Sequence, residues 1–208
     1  MADEDQSIYR TMAKSGSVIF AGRILELGIS FGGAAVIARL IGPTDFGSIT
    51  IGKTLLSTIG SLVLLGLTTG VTRYVPRYDD PSDKRGILVS AFQIVVPVSI
   101  LIAVVLFVGA DWVAKEIFTD QAVTPVIQIF AIAIPLSAVT DLGIAAAKGY
   151  TDSLPQVYIK NLSIPITRIT IAAIVLLYAP STPGIAWAYM LAYVVSASLS
   201  LYYLYTRS

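Results

Sequence analysis

The chain has no histidine and no cysteine among its 208 residues. Without histidine it lacks the commonest general base, the commonest transition-metal ligand and the usual near-neutral proton switch. Without cysteine there is neither a disulfide nor thiol chemistry. Charge is also scarce: 13% of residues are charged, about half the share a soluble domain carries. The simplest enzyme toolkits are therefore missing, and neither a cofactor nor a metal site is expected. A net charge of +1 gives no bulk attraction to nucleic acid, so the information lies in where the charges sit. What fills the space is apolar: 55% of residues are hydrophobic and the mean hydropathy is +0.78. That surplus has to face lipid.

An apolar helix of about 20 residues crosses a bilayer core. Six segments reach that length, and the expected fold is all-α, a polytopic membrane bundle of six transmembrane helices. The expected spans are 16–41, 45–75, 86–110, 122–149, 156–178 and 184–205, preceded by a cytosolic tail over 1–15. The opening MADEDQ is acidic where a signal peptide would be basic, so the first span is expected to stay as a membrane anchor. Gly42-Pro43-Thr44-Asp45 makes a tight turn into the second helix, with Thr44 or Asp45 as its cap. Trp112, Val113, Ile117 and Phe118 recur at helical spacing between spans three and four, which predicts a short interfacial helix. Gly28 with Gly32, Gly66 with Gly70 and Ala145 with Gly149 are spaced for close helix packing. Pro97, Pro135 and Pro165 fall inside spans and predict kinks.

Lysine and arginine in the flanks set the orientation. One side of the six spans collects Arg10, Lys14, Arg73, Arg77, Lys84, Arg85, Lys148, Lys160 and Arg207, and the other only Arg39 and Lys115. The first side is expected to be the cytosol, with both termini on it. The expected location is the plasma membrane of a prokaryote.

Five charges lie well inside the spans, away from their ends: Arg23, Lys53 and Arg168 as cations, Glu26 and Asp141 as anions. Each costs at least ~2.5–3.5 kcal/mol at the bilayer centre unless water or an opposite charge receives it. At ~1.5 Å of rise per residue, Arg23 lies about 10 Å in and Arg168 near the midplane. Arg23 and Glu26 are three apart and share a face, so they form either an internal pair or the edge of a polar lining. Asp141 is expected to pair with Arg168 across neighbouring helices, or to serve as a coupling carboxylate. Lys53 either snorkels outward or lines a cavity. Asn161 precedes Arg168 by one heptad and is expected on the same face. Arginine's planar fork suits phosphate. Arg23, Lys53, Asn161 and Arg168 are therefore the candidate substrate-binding residues, and Glu26 and Asp141 the ion-pair or coupling candidates.

The stretch Ala38–Tyr78, ARLIGPTDFGSITIGKTLLSTIGSLVLLGLTTGVTRYVPRY, resembles the first two helices of polysaccharide and O-antigen flippases. These belong to the superfamily that also holds the multidrug and toxin extrusion (MATE) transporters. Ala38 to Pro43, Asp45-Phe46-Gly47 and Arg73-Tyr74 carry the resemblance. It implies two six-helix lobes around a cavity that opens to each side in turn, of which this chain matches the first. The second lobe would be a C-terminal half or another copy. The implied activity is flipping of a lipid-linked oligosaccharide, whose phosphate or pyrophosphate is anionic, from the inner to the outer leaflet for surface glycan synthesis. Other partners are membrane lipids. Two alternatives stay open: a cation-coupled drug exporter using Glu26 and Asp141, and a non-transporting assembly subunit whose charges are only interhelical pairs.

Overall fold

The structure is a computed structural model that describes residues 2–152, 154–178 and 180–207. Among these there is no strand. Eight α-helices follow one another: α1 Ala2–Ile41, α2 Pro43–Leu64, α3 Leu67–Tyr74, α4 Pro81–Val108, α5 Ala110–Glu116, α6 Thr124–Gly149, α7 Ile164–Tyr178 and α8 Thr182–Arg207. A π-helical stretch, Gln156–Ser163, leads directly into α7. Six segments are long and apolar enough to cross a membrane: Phe20–Ile41, Pro43–Leu64, Pro81–Val108, Gln121–Gly149, Gln156–Tyr178 and Thr182–Thr206. This is a multi-pass membrane protein.

Two links differ from the sequence expectation. Neither Thr44 nor Asp45 caps α2. Gly42 takes the capping position at φ 89°, ψ 166°, with Pro43 opening the helix behind it. That backbone region is essentially reserved for glycine, and proline's fixed φ suits a first helical position. The second span also does not run unbroken to Val75. Leu65 (φ 47°) and Gly66 (φ 74°) are both left-handed and separate α2 from α3. Two successive residues of that hand reset the helical register, and the cost at Leu65 is ~1–2 kcal/mol. Asp80 caps α4, its carboxylate accepting from the Ser82 N–H at 2.8 Å. The short helix expected between spans three and four is α5, which buries Ala110 and Ala114 and leaves Trp112 exposed.

The centre of the bundle is α6, packed by α8, α4, α2 and α3. Close approach depends on small residues, though only partly at the expected ones. Gly28, Gly32, Gly66 and Gly70 have open space where a side chain would sit. By contrast a Cβ at Gly149 would meet Val75 of the α3 end at 2.8 Å, and one at Gly143 would overlap Ser200 of α8. The Thr72 hydroxyl donates to the Ala145 carbonyl at 3.2 Å, and Thr140 and Ser196 hydroxyls meet at 3.1 Å. Hydroxyls and missing side chains thus hold α3 and α8 against α6, where lipid tails give apolar contacts no advantage.

A candidate basic cavity

A cavity of about 610 Å³ opens at the end of the bundle that carries the links after α3 and α6. Small-molecule sites occupy ~300–1,000 Å³. Four cations line it: Arg23 from α1, Arg73 from α3, Lys148 from α6 and Lys160 from the π-helical stretch. One carboxylate, Asp141, shares the lining with Thr68, Thr69, Thr72, Gln156 and Asn161.

Local structure explains how these side chains converge. Asp141, Ile144, Ala145 and Lys148 follow the i, i+3, i+4, i+7 rule along α6, so one stripe of that helix forms the rear wall. Thr68 and Thr72, with Thr69 and Arg73, are the (i, i+4) pairs of α3, whose register starts afresh after the Leu65–Gly66 break. Tyr74 turns the other way and lies under the Arg77 guanidinium, 5.2 Å from its ring centroid. The π-helical stretch delivers Gln156, Lys160 and Asn161 together. Such stretches are rare and recur at functional sites. Here Pro165, with no N–H to donate, helps to keep the preceding turn out of α register.

Two salt bridges cross the cavity's surroundings. Arg23 donates to Glu26 at 2.7 Å, with their side chains 58% and 20% exposed. Lys160 pairs with Asp141, with the two 43% and 28% exposed. This corrects the expected Asp141–Arg168 pair. The π-helical register presents Lys160 to α6, and Arg168 instead places its guanidinium 4.8 Å from the Tyr189 ring of α8. Neither pair is sealed in the protein interior. Neither Arg73 nor Lys148 belongs to a salt bridge among the described residues. Positive charge therefore exceeds negative in the cavity.

Of the other candidate residues, Asn161 lines the cavity, and Glu26, Lys53 and Arg168 do not. Asn161 reaches the cavity lining, but its amide nitrogen is buried without a hydrogen-bond partner and abuts Gly22 of α1. Arg168 is 7% exposed, does not line the cavity and leaves its Nε unbonded. Asn161 and Arg168 thus part ways, since the stretch between them is not α-helical throughout. Lys53 also lies off the cavity, within electrostatic reach of Arg168 and Glu26. It sits on an exposed polar face of α2 made by Thr50, Lys53, Thr54, Ser57, Thr58 and Ser61. Thr50 and Ser61 return their hydroxyl protons to their own helix, at 2.9 and 2.8 Å, so those two tolerate lipid. Lys53 has no such escape. Arg73, Lys148, Lys160 and the α3 threonines were not expected at a site. Their signal was in the chain, because Asp141 to Lys148 spans two turns of one face and Thr68-Thr69 precede Thr72-Arg73 by one turn.

The fold and the lining together define an all-helical, multi-pass membrane protein with a cavity lined by four cations at one end. The chain belongs to the family described as polysaccharide biosynthesis protein, whose model matches residues 12–208. Among curated proteins it is similar to the lipid III flippase of Escherichia coli (strain K12), 24% identical over 144 residues. The lipid III flippase of Shigella flexneri matches to the same degree. These alignments cover 69% of this chain and 35% of each relative, so the chain spans about a third of the length of the curated relatives it matches. No solved structure matches it significantly.

Proposed function

We propose that the chain is one lobe of a flippase that moves a lipid-linked oligosaccharide or polysaccharide precursor from the inner to the outer leaflet. The basic cavity is where the passenger's phosphate or pyrophosphate is first held. The observation that carries this reading is the convergence of Arg23, Arg73, Lys148 and Lys160 on one cavity against a single lining carboxylate. The family match and the relatives' name, lipid III flippase, support a flipping role. Transport in this reading needs no bond to be made or broken.

The cavity opens toward the cytosol, as the lysine and arginine bias requires, with both termini on that side of the plasma membrane. The polar face of α2 with Lys53 and the exposed apolar face of α1 (Phe20, Phe31, Leu40) front a second, MATE-like six-helix lobe. That lobe comes from a C-terminal half or from another copy. Lys53 and Arg168 form a deeper cationic station for the passenger beyond the first cavity. A cation-coupled drug exporter is the weaker reading, because Glu26 and Asp141 are each already bonded to a cation. The test is to neutralise Arg23 and Arg168 together in the complete transporter. Flipping should be lost with membrane insertion intact, and normal flipping by that double variant overturns the proposal.

A further inference from the structure

We propose that Asp141 and Glu26 are resident substitutes for the passenger's anion, holding Lys160 and Arg23 while the cavity is empty and yielding them when a phosphate arrives. The inference rests on the anion-binding reading above and adds how that site is kept ready and emptied.

Each carboxylate bonds a cation that lines the cavity. Asp141 is itself a lining residue and bonds Lys160, which lines the same space. Glu26 bonds Arg23, whose side chain is more than half exposed at the cavity edge. A pair sealed in the interior would be locked, because parting it strands a charge. Arg23, Lys160 and Asp141 line the cavity, so each cation released from its carboxylate stays in the space the anion enters. Exchange is then like for like: as Lys160 turns from carboxylate to phosphate, the cation stays paired and the freed Asp141 is received by water. Arg73 and Lys148, with no salt bridge among the described residues, supply the attraction that draws the anion in. The two substitutes lower its affinity and so permit release. In this assignment Asp141 and Glu26 are positioning residues, acting through Lys160 and Arg23.

The test is the affinity of the full-length protein, purified in detergent, for farnesyl pyrophosphate, a lipid-linked pyrophosphate with a short chain, read by calorimetry. Asp141→Asn keeps the side chain's shape and removes the competing charge. It should bind about fivefold tighter than the unaltered protein, a change of ~1 kcal/mol, and Glu26→Gln should do the same. Lys160→Gln should weaken binding. The double variant D141N/K160Q should gain less over K160Q than D141N gains over the unaltered protein, because the part of the carboxylate's effect that runs through that lysine is already gone. Unchanged or weaker binding by both D141N and E26Q, with K160Q still weakened, would overturn the substitution while leaving the anion cavity standing. Absence of binding by every form, the unaltered protein included, would remove the cavity reading and this inference together.

Discussion

Replacing Arg168 by methionine should make the protein more stable and less active. The Arg168 side chain is buried, its Nε has no hydrogen-bond partner, and no carboxylate pairs with it among the described residues. Its compensation is the Tyr189 ring at 4.8 Å. A desolvated cation–π contact returns about 2 kcal/mol, whereas an arginine deep in a membrane helix costs ~2.5–3.5 kcal/mol. Lys53, of like charge and within electrostatic reach, adds to the cost. The balance favours methionine, which can fill the same slot without charge, by about 1 kcal/mol. For a chain of this length that is a rise of roughly 2–4 °C in Tm. Thermal unfolding in detergent, followed through Trp112 and Trp187, measures it. Arg168→Lys keeps the charge but loses the planar stack, so it should melt below the unaltered protein. A methionine variant that melts several degrees lower would show Arg168 to be well compensated, and the reasoning that treats it as an excess cation would fail.

Other expectations follow from separate contacts. Gly143→Ala should destabilise by ~1–3 kcal/mol through overpacking, since the new methyl overlaps the Ser200 hydroxyl; adding Ser200→Ala should recover most of the loss in the same melting assay. The Ser82 N–H holds the Asp80 carboxyl below its usual range. Its cap therefore supports α4 above the unfolded-state carboxylate value and fades as pH falls through the lowered folded value. Protection of the first α4 amides, taken relative to their intrinsic exchange rate at each pH, should fall across that acid window, and in Asp80→Ala it should be low at every pH. Because the chain lacks cysteine, single cysteines report sidedness directly: Ser82→Cys should be labelled by an impermeant maleimide only from the cytosol, and Gln121→Cys only from outside.

Much of the architecture was legible in the chain because lipid leaves few solutions. Six long apolar runs favour helices, and the spacing of Trp112, Val113, Ile117 and Phe118 pointed to α5, although that helix ends at Glu116 and holds only the first two. The Leu65–Gly66 break was not legible, since an apolar pair does not announce two left-handed residues. Gly28 and Gly32 have packing spacing but face open space, whereas Gly143, which no spacing rule singled out, touches Ser200. The site was half legible. Arg23, Asn161 and Asp141 are in the lining, while Lys53 and Arg168 lie off it. Lys148 and Lys160 counted only as flank charges setting orientation, because depth along a span does not reveal which way a helix turns. The π-helical stretch altered that turn, giving Asp141 to Lys160 and sending Arg168 to Tyr189.

The central claim is that unpaired cations at one end of the bundle hold the passenger's phosphates. Arg73 and Lys148 test it most cleanly, because neither belongs to a salt bridge among the described residues and their removal strands no described partner. The measurement is the rate at which the complete transporter, in proteoliposomes, moves a fluorescent prenyl-pyrophosphate-linked sugar between leaflets, with Arg73→Gln/Lys148→Gln compared to the unaltered protein. Two lost charge-assisted hydrogen bonds at ~1.5–3 kcal/mol each should slow transfer of subsaturating substrate by about a hundredfold or more, with expression and melting temperature preserved. Transfer at the unaltered rate would contradict it.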